Sequence, residues 1–203
     1  WAGSERMRRA KLIVVRHGET VWNAEGRIQG HGDSPLTENG VAQAQAVARR
    51  LVADRLDAII ASDLGRVRQT VAPLAELTGL GAQFDAGLRE RNYGVFEGKT
   101  LAELDVEMPG EFEKYRRRDS KGAPPGGESL AQFHARIVST MERIAAESAG
   151  RTVAVFAHGG VCGELFRHAM RLPMEAPRSY SLFNASINRF RYKGGLWVLE
   201  VWG

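Results

Sequence analysis

Short apolar runs alternate with helical patterns along the chain, and this alternation predicts strands joined by helices. Residues 12–15 and 152–157 are continuous apolar runs of the kind found in buried parallel strands. Residues 56–60 indicate a further strand. The apolar stretches 187–192 and 196–201 flank Gly194-Gly195 and predict a hairpin near the end of the chain.

Apolar residues spaced three and four apart predict three long helices, each preceded by a residue that can cap it. The first follows Thr37, the second opens at Ser62-Asp63, and the third follows Ser129, which forms a capping-box pattern with Gln132. A shorter helix is predicted from about 161 to 170. The positions predicted to face inward are Val41, Ala44, Val47, Ala48 and Leu51, then Leu64, Val67, Val71, Leu74 and Leu77, then Leu130, Phe133, Ile137, Met141 and Ile144.

This order of elements predicts an α/β fold, a three-layer α/β/α sandwich with a mostly parallel central sheet. A chain of 203 residues, 43% of them hydrophobic, is typical of one domain, which we assign to residues 7–203. Within it, residues 92–127 are the least regular segment and are expected to form a lid that sets specificity. Whether residues 1–6 are native is left open.

Several features of the composition bear on location and partners. Apolar runs fall well short of the ~20 residues that span a bilayer, and the run after the basic start is too short for a signal peptide, so we expect a cytoplasmic protein without a membrane partner. Cys162 is the single cysteine, which excludes an internal disulfide. The formal charge of +4 comes from scattered arginines. Because a guanidinium matches phosphate oxygens, a small phosphorylated metabolite explains this balance at least as well as nucleic acid, and no nucleic acid is expected.

Three candidate motifs follow predicted strands or open the next helix. They are Arg16-His17-Gly18, the turn at 62–66 that contains Arg66, and His158-Gly159-Gly160. Mostly parallel sheets bind ligands outside the carboxyl ends of their strands. We therefore expect these motifs to meet at one edge of the sheet.

Five motifs follow one another along the chain. They are Arg16-His17-Gly18-Glu19-Thr20 with Asn23, Gly32-Asp33-Ser34-Pro35-Leu36-Thr37, Ser62-Asp63-Leu64-Gly65-Arg66 with Thr70, Leu88-Arg89-Glu90, and Ala157-His158-Gly159-Gly160. In this order they resemble the histidine phosphatase superfamily, the phosphoglycerate mutase-like proteins, from about Lys11 to Trp202. The phosphatase branch is favoured because the lid is short.

The chemistry of a phosphomonoester explains why such residues are needed. Its dianion repels nucleophiles, and its alcohol leaves only if the departing oxygen is protonated. A neutral imidazole can attack, while nearby guanidinium groups lower its pKa and neutralise the phosphoryl oxygens. Arg16 and Arg66 suit that double role.

The resemblance implies a role for each residue of the site. His17 would become phosphohistidine, Glu90 would protonate the leaving group and then activate water, and Arg16, Asn23, Arg66 and His158 would bind phosphate. The resemblance implies no metal and no cofactor. The predicted catalytic residues are His17, Glu90, Arg16, Arg66 and His158, and the predicted substrate-binding residues are Asn23, Thr20, Gly159, Tyr93, Lys99, Arg116 and Arg117.

Some of these assignments have rivals on the chain. Arg68 could replace Arg66, although Arg66 stands four residues before Thr70 as the motif requires. Glu90 could instead form a surface ion pair, and the fallback acids are Glu19, Asp63 and Glu97. We interpret His31, His134 and His168 as structural or exposed, and Cys162 as a small buried residue.

Three functions are compared. The favoured one is a phosphatase of small phosphomonoesters. Tyr115-Arg116-Arg117 followed by two prolines resembles the mutases that depend on 2,3-bisphosphoglycerate, whose matching arginines grip a second acidic group. Those mutases carry a long insertion after the prolines, whereas residues 126–129 lead straight into the next helix, and a shorter lid admits water.

The third function is a non-catalytic protein that binds a phosphate ligand or nucleic acid, which the complete set of motif residues disfavours. The oligomeric state is left open, a homodimer being one option. Trp197 and Trp202 are interpreted as core or surface residues rather than interface residues.

Overall fold

A six-stranded sheet forms the centre of the computed structural model, which describes residues 8–203. Residues 1–6, whose origin the sequence leaves open, lie outside the described residues. The strands lie in the order β3-β2-β4-β1-β5-β6. They are β1 Ala10–Arg16, β2 Ala58–Ala61, β3 Ala82–Phe84, β4 Thr152–Ala157, β5 Ile187–Lys193 and β6 Leu196–Val201.

The direction of the strands confirms the predicted mostly parallel sheet. β1 pairs with β4, and β2 pairs with β3 and β4, all in parallel. β5 runs antiparallel to β1, and β6 runs antiparallel to β5, so the predicted hairpin forms one margin of the sheet. A tight turn suffices there because antiparallel neighbours need no crossover helix.

Helices cover both faces of this sheet. Their bounds are α1 Val21–Glu25, α2 Glu38–Leu51, α3 Gly65–Thr78, α4 Leu101–Glu107, α5 Pro109–Arg116, α6 Leu130–Glu147 and α7 Gly159–Ala169. Thr37 and Ser129 cap α2 and α6 as predicted. Within the described part of the chain, every helix is too short or too polar to cross a membrane.

Two hydrophobic cores lie between the sheet and the helices, one on each face of the sheet. Ile13 and Val15 of β1 lie in one core with apolar residues of α2 and α3. Leu12 and Val14 of the same strand lie in the other, with residues of α6 and α7. Because alternate strand residues point to opposite faces, one buried apolar run contributes to both cores. The α/β/α sandwich is thus confirmed, and Trp197 is buried in the second core.

Two predicted inward positions and some element bounds were wrong. Val41 and Leu77 are 43% and 55% exposed. They lie in the first turn of α2 and the last turn of α3. These helices are about 21 Å long and extend past the strand β2, which is about 13 Å long, so their ends are exposed. The strand predicted at 56–60 is β2, Ala58–Ala61, and α7 begins at Gly159. The three-residue strand β3 was not predicted.

The segment 92–127 is more ordered than predicted. It contains α4 and α5, and it has a small core of its own made of Phe96, Leu104 and Phe112. Thr100 starts α4 with a capping box, and Pro109 starts α5. These helices are short, so their sequence shows too few turns for a clear period.

Candidate active site

His17 and His158 lie side by side at the carboxyl end of the sheet. Each follows one of two paired parallel strands, β1 and β4, and His17 N–H donates to the Ala157 carbonyl at 3.1 Å. The two rings have centroids 5.5 Å apart. Both side chains are buried, with 3% and 0% exposure. The predicted meeting of the strand-end motifs is therefore observed.

His17 is held in a form that leaves one ring nitrogen free for chemistry. Its Nδ1 lies 2.7 Å from the Gly18 carbonyl, and a carbonyl can only accept, so Nδ1 carries the proton. Burial, followed by the charges of Arg66 and Arg16, holds the pKa of His17 well below its usual range. The imidazole is therefore neutral at physiological pH, with the lone pair on Nε2.

Arg66 is fixed by the loop that carries the second motif. Its Nη1 donates to the Gly32 carbonyl at 2.7 Å and to Asp33 Oδ1 at 2.9 Å, and its Nη2 donates to the Gly30 carbonyl at 2.6 Å. Thr70 Oγ1 donates to the Arg66 carbonyl and accepts from Gly18 N–H. The Arg-x-x-x-Thr spacing thus joins α3 to the loop of His17.

Arg16 lies against the start of α7. Its Nη1 donates to the Leu182 carbonyl at 2.8 Å. A Cβ at Gly159 would stand 3.2 Å from Arg16 Nε, which is closer than most side chains tolerate. The absence of a side chain at Gly159 therefore lets the guanidinium approach the helix start.

Three buried nitrogens around His17 lack a hydrogen-bond partner among residues 8–203. They are Arg16 Nε, Arg66 Nε and His158 Nδ1. His158 Nε2 lies 2.8 Å from Ser62 Oγ, and when that hydroxyl donates, Nδ1 carries the ring proton. Burial, then the charges of Arg66 and Arg16, keep the pKa of His158 well below its usual value. A buried donor without a partner is costly, so these nitrogens favour an anionic ligand. Arg16 and Arg66 line the cavity at His17 described below, whereas His158 is fully buried and lines neither cavity.

Asn23 completes one side of this group. Thr20 caps α1 and forms a reciprocal capping box with Asn23. Asn184 Nδ2 donates to Asn23 Oδ1 at 3.1 Å and lies 3.4 Å from the His17 carbonyl. Thr20 is fully buried and outside the cavities described below, so it holds the loop, whereas Asn23 lines the site.

Glu90 is the acid placed beside Arg16. Its Oε2 accepts from Gly160 N–H at 2.9 Å, and its Oε1 accepts from Arg91 N–H at 2.9 Å. A Cβ at Gly160 would stand 2.1 Å from Glu90 Oε1, so the second glycine makes room for the carboxylate.

The fallback acids have other partners. Asp63 forms a two-pronged pair with Arg89, and Glu97 accepts from the backbone N–H groups of His31, Gly32 and Tyr93. Glu19 accepts from the Thr37 hydroxyl. Each of these contacts ties two loop or helix segments together.

Two adjoining cavities share five lining residues, Arg16, Glu90, Tyr93, Tyr115 and Gly159. The His17 cavity, of about 160 Å³, is also lined by Asn23 and Arg66. The adjoining cavity measures about 400 Å³. Its further lining residues include Arg116, Arg118, Phe133, Glu164, Arg167, Arg178, Tyr180 and Leu182.

Some of the predicted lid residues line a cavity and others do not. Tyr93 and Arg116 line the adjoining cavity, although Arg116 also pairs with Asp105. Lys99 instead pairs with Glu107 at 2.6 Å, and Arg117 is exposed, and neither lines a cavity at His17. Their predicted contact with substrate is not supported by this geometry, because Lys99 is held by Glu107 of α4, and Arg117, the C-cap of α5, faces solvent.

Several residues of the adjoining cavity were missed by sequence reasoning. Arg178, Tyr180 and Leu182 come from the stretch between α7 and β5, which has neither apolar period nor a motif. Arg118 and Glu164 form an ion pair of 2.9 Å across the cavity wall. The Arg116–Arg118 run was a visible signal, but the sequence did not indicate which member turns inward.

Other predicted residues have structural partners. His31 Nε2 lies 3.0 Å from the Glu90 carbonyl, His134 pairs with Glu164, and His168 pairs with Glu142. Cys162 is buried in α7, and burial raises its pKa to about 12. Among residues 8–203, no cluster of three or more His, Cys, Asp or Glu side chains is positioned to hold a metal ion. That the reaction needs no metal stays a prediction.

The arrangement agrees with a family assignment made from the whole chain. The family model of the histidine phosphatase superfamily (branch 1) matches residues 12–203. The chain belongs to this superfamily. The match extends through both cavities and the closing hairpin, so the family shares more than the first motif.

Relatives within the superfamily include proteins named for both activities. The chain is 37% identical over 193 residues to the "Probable phosphoglycerate mutase GpmB" of Yersinia pestis (strain Pestoides F), covering 95% of this chain and 89% of that protein. It superposes with a TM-score of 0.82 on a mycobacterial glucosyl-3-phosphoglycerate phosphatase, at 34% identity and with 96% and 99% coverage. For a phosphoglycerate mutase from Bacillus anthracis str. Sterne the values are 0.82, 27%, 97% and 94%. Superfamily membership therefore indicates a phosphatase or a mutase.

Proposed function

We propose that this protein hydrolyses small phosphomonoesters through a phosphohistidine at His17. The observation that carries the proposal is the set of three buried nitrogens on Arg16, Arg66 and His158 that lack partners beside a neutral His17. A phosphoryl group in the cavity at His17 would offer acceptors to Arg16 and Arg66, which line it, with His158 behind them. It would also present its phosphorus to the free Nε2 lone pair.

The first half of the reaction transfers the phosphoryl group to His17. Nε2 forms a bond to phosphorus while the bond from phosphorus to the alcohol oxygen breaks. Glu90 in its acid form gives its proton to that oxygen, and the alcohol leaves. Arg16 and Arg66 offset the charge on the phosphoryl oxygens, which does the work that a metal ion does in kinases.

The second half returns His17 to its starting state. Glu90, now a carboxylate, takes a proton from a water molecule as the water oxygen attacks phosphorus. The bond from phosphorus to Nε2 breaks, inorganic phosphate leaves, and Glu90 is again protonated. One carboxyl group therefore serves as acid and then as base.

The adjoining cavity supports a substrate whose alcohol part is itself anionic. Six arginines line it against two glutamates, Glu90 and Glu164. Arg178 pairs with no acidic side chain in the described part of the chain. Burial lowers the pKa of Arg16, and the nearby charge of Arg178 lowers it further. A carboxylate or second phosphate on the alcohol would offset this charge.

The mutase reading is kept as a second candidate because of one observation. Arg116, which resembles a substrate-gripping arginine of the 2,3-bisphosphoglycerate-dependent mutases, lines the adjoining cavity. Hydrolysis is favoured because residues 126–129 pass directly to α6, without the long insertion those mutases carry.

The proposal is tested by a screen of phosphorylated metabolites, each with and without 2,3-bisphosphoglycerate. The panel includes glycerol 3-phosphate and 3-phosphoglycerate, which differ in whether the alcohol carries a carboxylate. We expect phosphate release without added bisphosphoglycerate, and faster release from 3-phosphoglycerate, whose alcohol carries the carboxylate. Interconversion of phosphoglycerates that requires bisphosphoglycerate, with little phosphate released, would establish the mutase instead.

Substitution of the nucleophile provides the second arm of the test. His17→Ala should lose turnover by at least about 10⁴-fold, since the covalent route closes. His168→Ala is the control, because His168 pairs with Glu142 and lies outside both cavities. This variant should keep activity within about twofold. Acid-labile phosphate should be trapped on the native chain and not on His17→Ala. Full activity of His17→Ala would refute the proposal.

A further inference from the structure

Arg136 of α6 uses every hydrogen-bond donor of its guanidinium. A guanidinium carries five N–H groups, and Arg136 makes five contacts. Nε and Nη2 donate to the two oxygens of Glu128 at 3.0 and 2.7 Å. The other three contacts go to main-chain carbonyls, at 2.9, 2.9 and 3.1 Å.

Those three carbonyls belong to Gly87, Arg89 and Glu90, the loop that carries the acid. One side chain therefore holds the main chain at Glu90 and just before it. His31 adds a contact to the Glu90 carbonyl at 3.0 Å. Arg136 itself lines neither cavity at His17, so it acts on the loop from behind.

Glu128 extends the same network to the residues after Glu90. Its Oε1 accepts from Asn92 N–H, and its own N–H donates to the Asn92 carbonyl, both at 2.8 Å. The Arg136–Glu128 pair is half-buried, with side-chain exposures of 25% and 21%. The loop is thus fixed on both sides of Glu90 by one ion pair, formed by Arg136 of α6 and Glu128, the residue before the cap of α6.

The carboxylate of Glu90 depends on where that main chain lies. Its contacts, as far as the described residues show, are the N–H groups of Gly160 and Arg91. A displacement of the loop would carry the carboxylate away from the helix start of α7. A shift of about 1 Å in a reacting group can cost about 10²-fold in rate.

We infer that Arg136, together with Glu128, is a positioning residue for proton transfer by Glu90. This inference rests on the proposed function, in which Glu90 protonates the leaving alcohol. It predicts a loss that depends on how much the leaving group needs a proton. An alkoxide needs one, whereas p-nitrophenolate leaves readily without it.

The experiment compares kcat/KM for p-nitrophenyl phosphate and for the best alkyl phosphate from the screen. This constant reports the steps up to release of the alcohol, so it isolates the acid role from the later base role. Glu90→Gln serves as the reference. Arg136→Gln should lower kcat/KM for the alkyl ester by about 10² and for p-nitrophenyl phosphate by about tenfold or less.

Arg189→Gln is the matched control. Arg189 forms a two-pronged pair with Asp54, and the exposures of 22% and 19% match those of Arg136 and Glu128. It lies on β5 outside both cavities at His17. Its loss should leave the ratio of the two constants unchanged.

A double substitution separates positioning from a general loss of stability. If Arg136 acts through Glu90, adding Arg136→Gln to Glu90→Gln should not change the ratio further. Arg136→Lys keeps the charge but has at most three donors, and it serves as an alternative if Arg136→Gln does not fold. Its ratio of the two kcat/KM values should lie between those of the native protein and of Arg136→Gln. Circular dichroism and thermal unfolding verify that each protein is folded.

Each outcome bears on a stated claim. Equal losses for both esters in Arg136→Gln and Arg136→Lys, with a selective loss in Glu90→Gln, would overturn the inference and leave the proposed function intact. An unchanged ratio in Glu90→Gln would overturn both the acid role of Glu90 and the inference. A native protein with no turnover of either ester would overturn the proposed function first.

Discussion

At the scale of single residues, the site combines a neutral base with two nearby guanidinium groups. His17 is buried beside two guanidinium groups, and both burial and those charges disfavour its protonated form. The same guanidinium groups keep Nε donors without partners among the described residues. Both features are unfavourable in the free protein, and a bound phosphoryl dianion would relieve both.

Gly160→Ala tests whether the position of Glu90 limits turnover. An added Cβ would stand 2.1 Å from Glu90 Oε1, so the carboxylate must move by roughly 1 Å to reach an ordinary contact. We expect kcat/KM for an alkyl phosphate to fall about 10²-fold with little change in the melting temperature. Gly110→Ala, where a Cβ meets nothing within 4 Å, is the control. Equal activity of both variants would contradict the assigned position of Glu90.

The residues proposed to bind phosphate could be predicted because each lies in a short motif after a strand. The rule that parallel strands present ligand-binding residues at one edge placed His17, Arg66 and His158 together, and the resemblance to the family implied their roles. Their supporting contacts could not be predicted. Asp33 is 33 positions from Arg66, and Ser62 is 96 positions from His158, and local pattern does not carry pairings over such distances.

At the scale of elements, α7 connects the site around His17 to the segment 92–127. Its first turn holds Glu90 through Gly160 N–H. One turn later, Glu164 pairs with Arg118 of that segment and with His134 of α6. Although burial alone would raise the pKa of Glu164, hydrogen bonds and charge from His134 and Arg118 hold it below its usual value. Glu164 is therefore charged at neutral pH and anchors the end of the segment.

Glu164→Gln should both destabilise the protein and weaken substrate binding. The carboxylate is 3% exposed and its partner Arg167 is 2% exposed, so removing it leaves a buried cation with less compensation. We expect a loss of about 3 kcal/mol, seen as a melting temperature lower by about 6–12 °C. KM should rise several-fold as Arg118 loses its anchor, with a smaller change in kcat.

The control for that change is a more exposed acid on α6. Glu142 is 32% exposed and pairs with His168, so Glu142→Gln should cost less than about 1 kcal/mol and leave KM unchanged. A rise in KM of the same size in both variants would argue against the anchor. An unchanged melting temperature in Glu164→Gln would show that Arg118 and Arg167 find other partners.

Element prediction succeeded where an element was long or fully buried. β1 and β4 are continuous apolar runs, and α6 has a clear period and a cap. α4 and α5 were missed because they have seven and eight residues and pack mainly on each other. The stretch between α7 and β5 was missed because its contacts, such as that of Arg167 with Tyr180, join positions without regular spacing.

At the scale of the whole molecule, the fold keeps two neutral histidines in a basic environment. His17 and His158 both have pKa values well below the usual one, mainly because they are buried. The unfolded chain binds protons on these histidines near pH 6.5, while the folded protein does so only at lower pH. Folding stability must therefore decrease as the pH falls below about 6.5.

This coupling can be measured as a slope of unfolding free energy against pH. Each such histidine contributes up to about 1.4 kcal/mol per pH unit between its unfolded and folded pKa values. In phosphate-free buffer, His17→Asn should reduce the slope between about pH 6.5 and 5 by up to that amount, and His158→Asn should act similarly.

Urea unfolding at several pH values gives the slopes directly, and adding inorganic phosphate to the native protein supplies a second reading. If the anion occupies the donors of Arg16, Arg66 and His158, it should stabilise the folded protein, by an amount that grows with the logarithm of its concentration. That gain should shrink in Arg66→Gln, which removes one of the three donors. A slope in His17→Asn equal to that of the native protein would mean that His17 gains its proton at the same pH folded and unfolded. The neutral nucleophile would then lose its physical basis, whatever the phosphate reading.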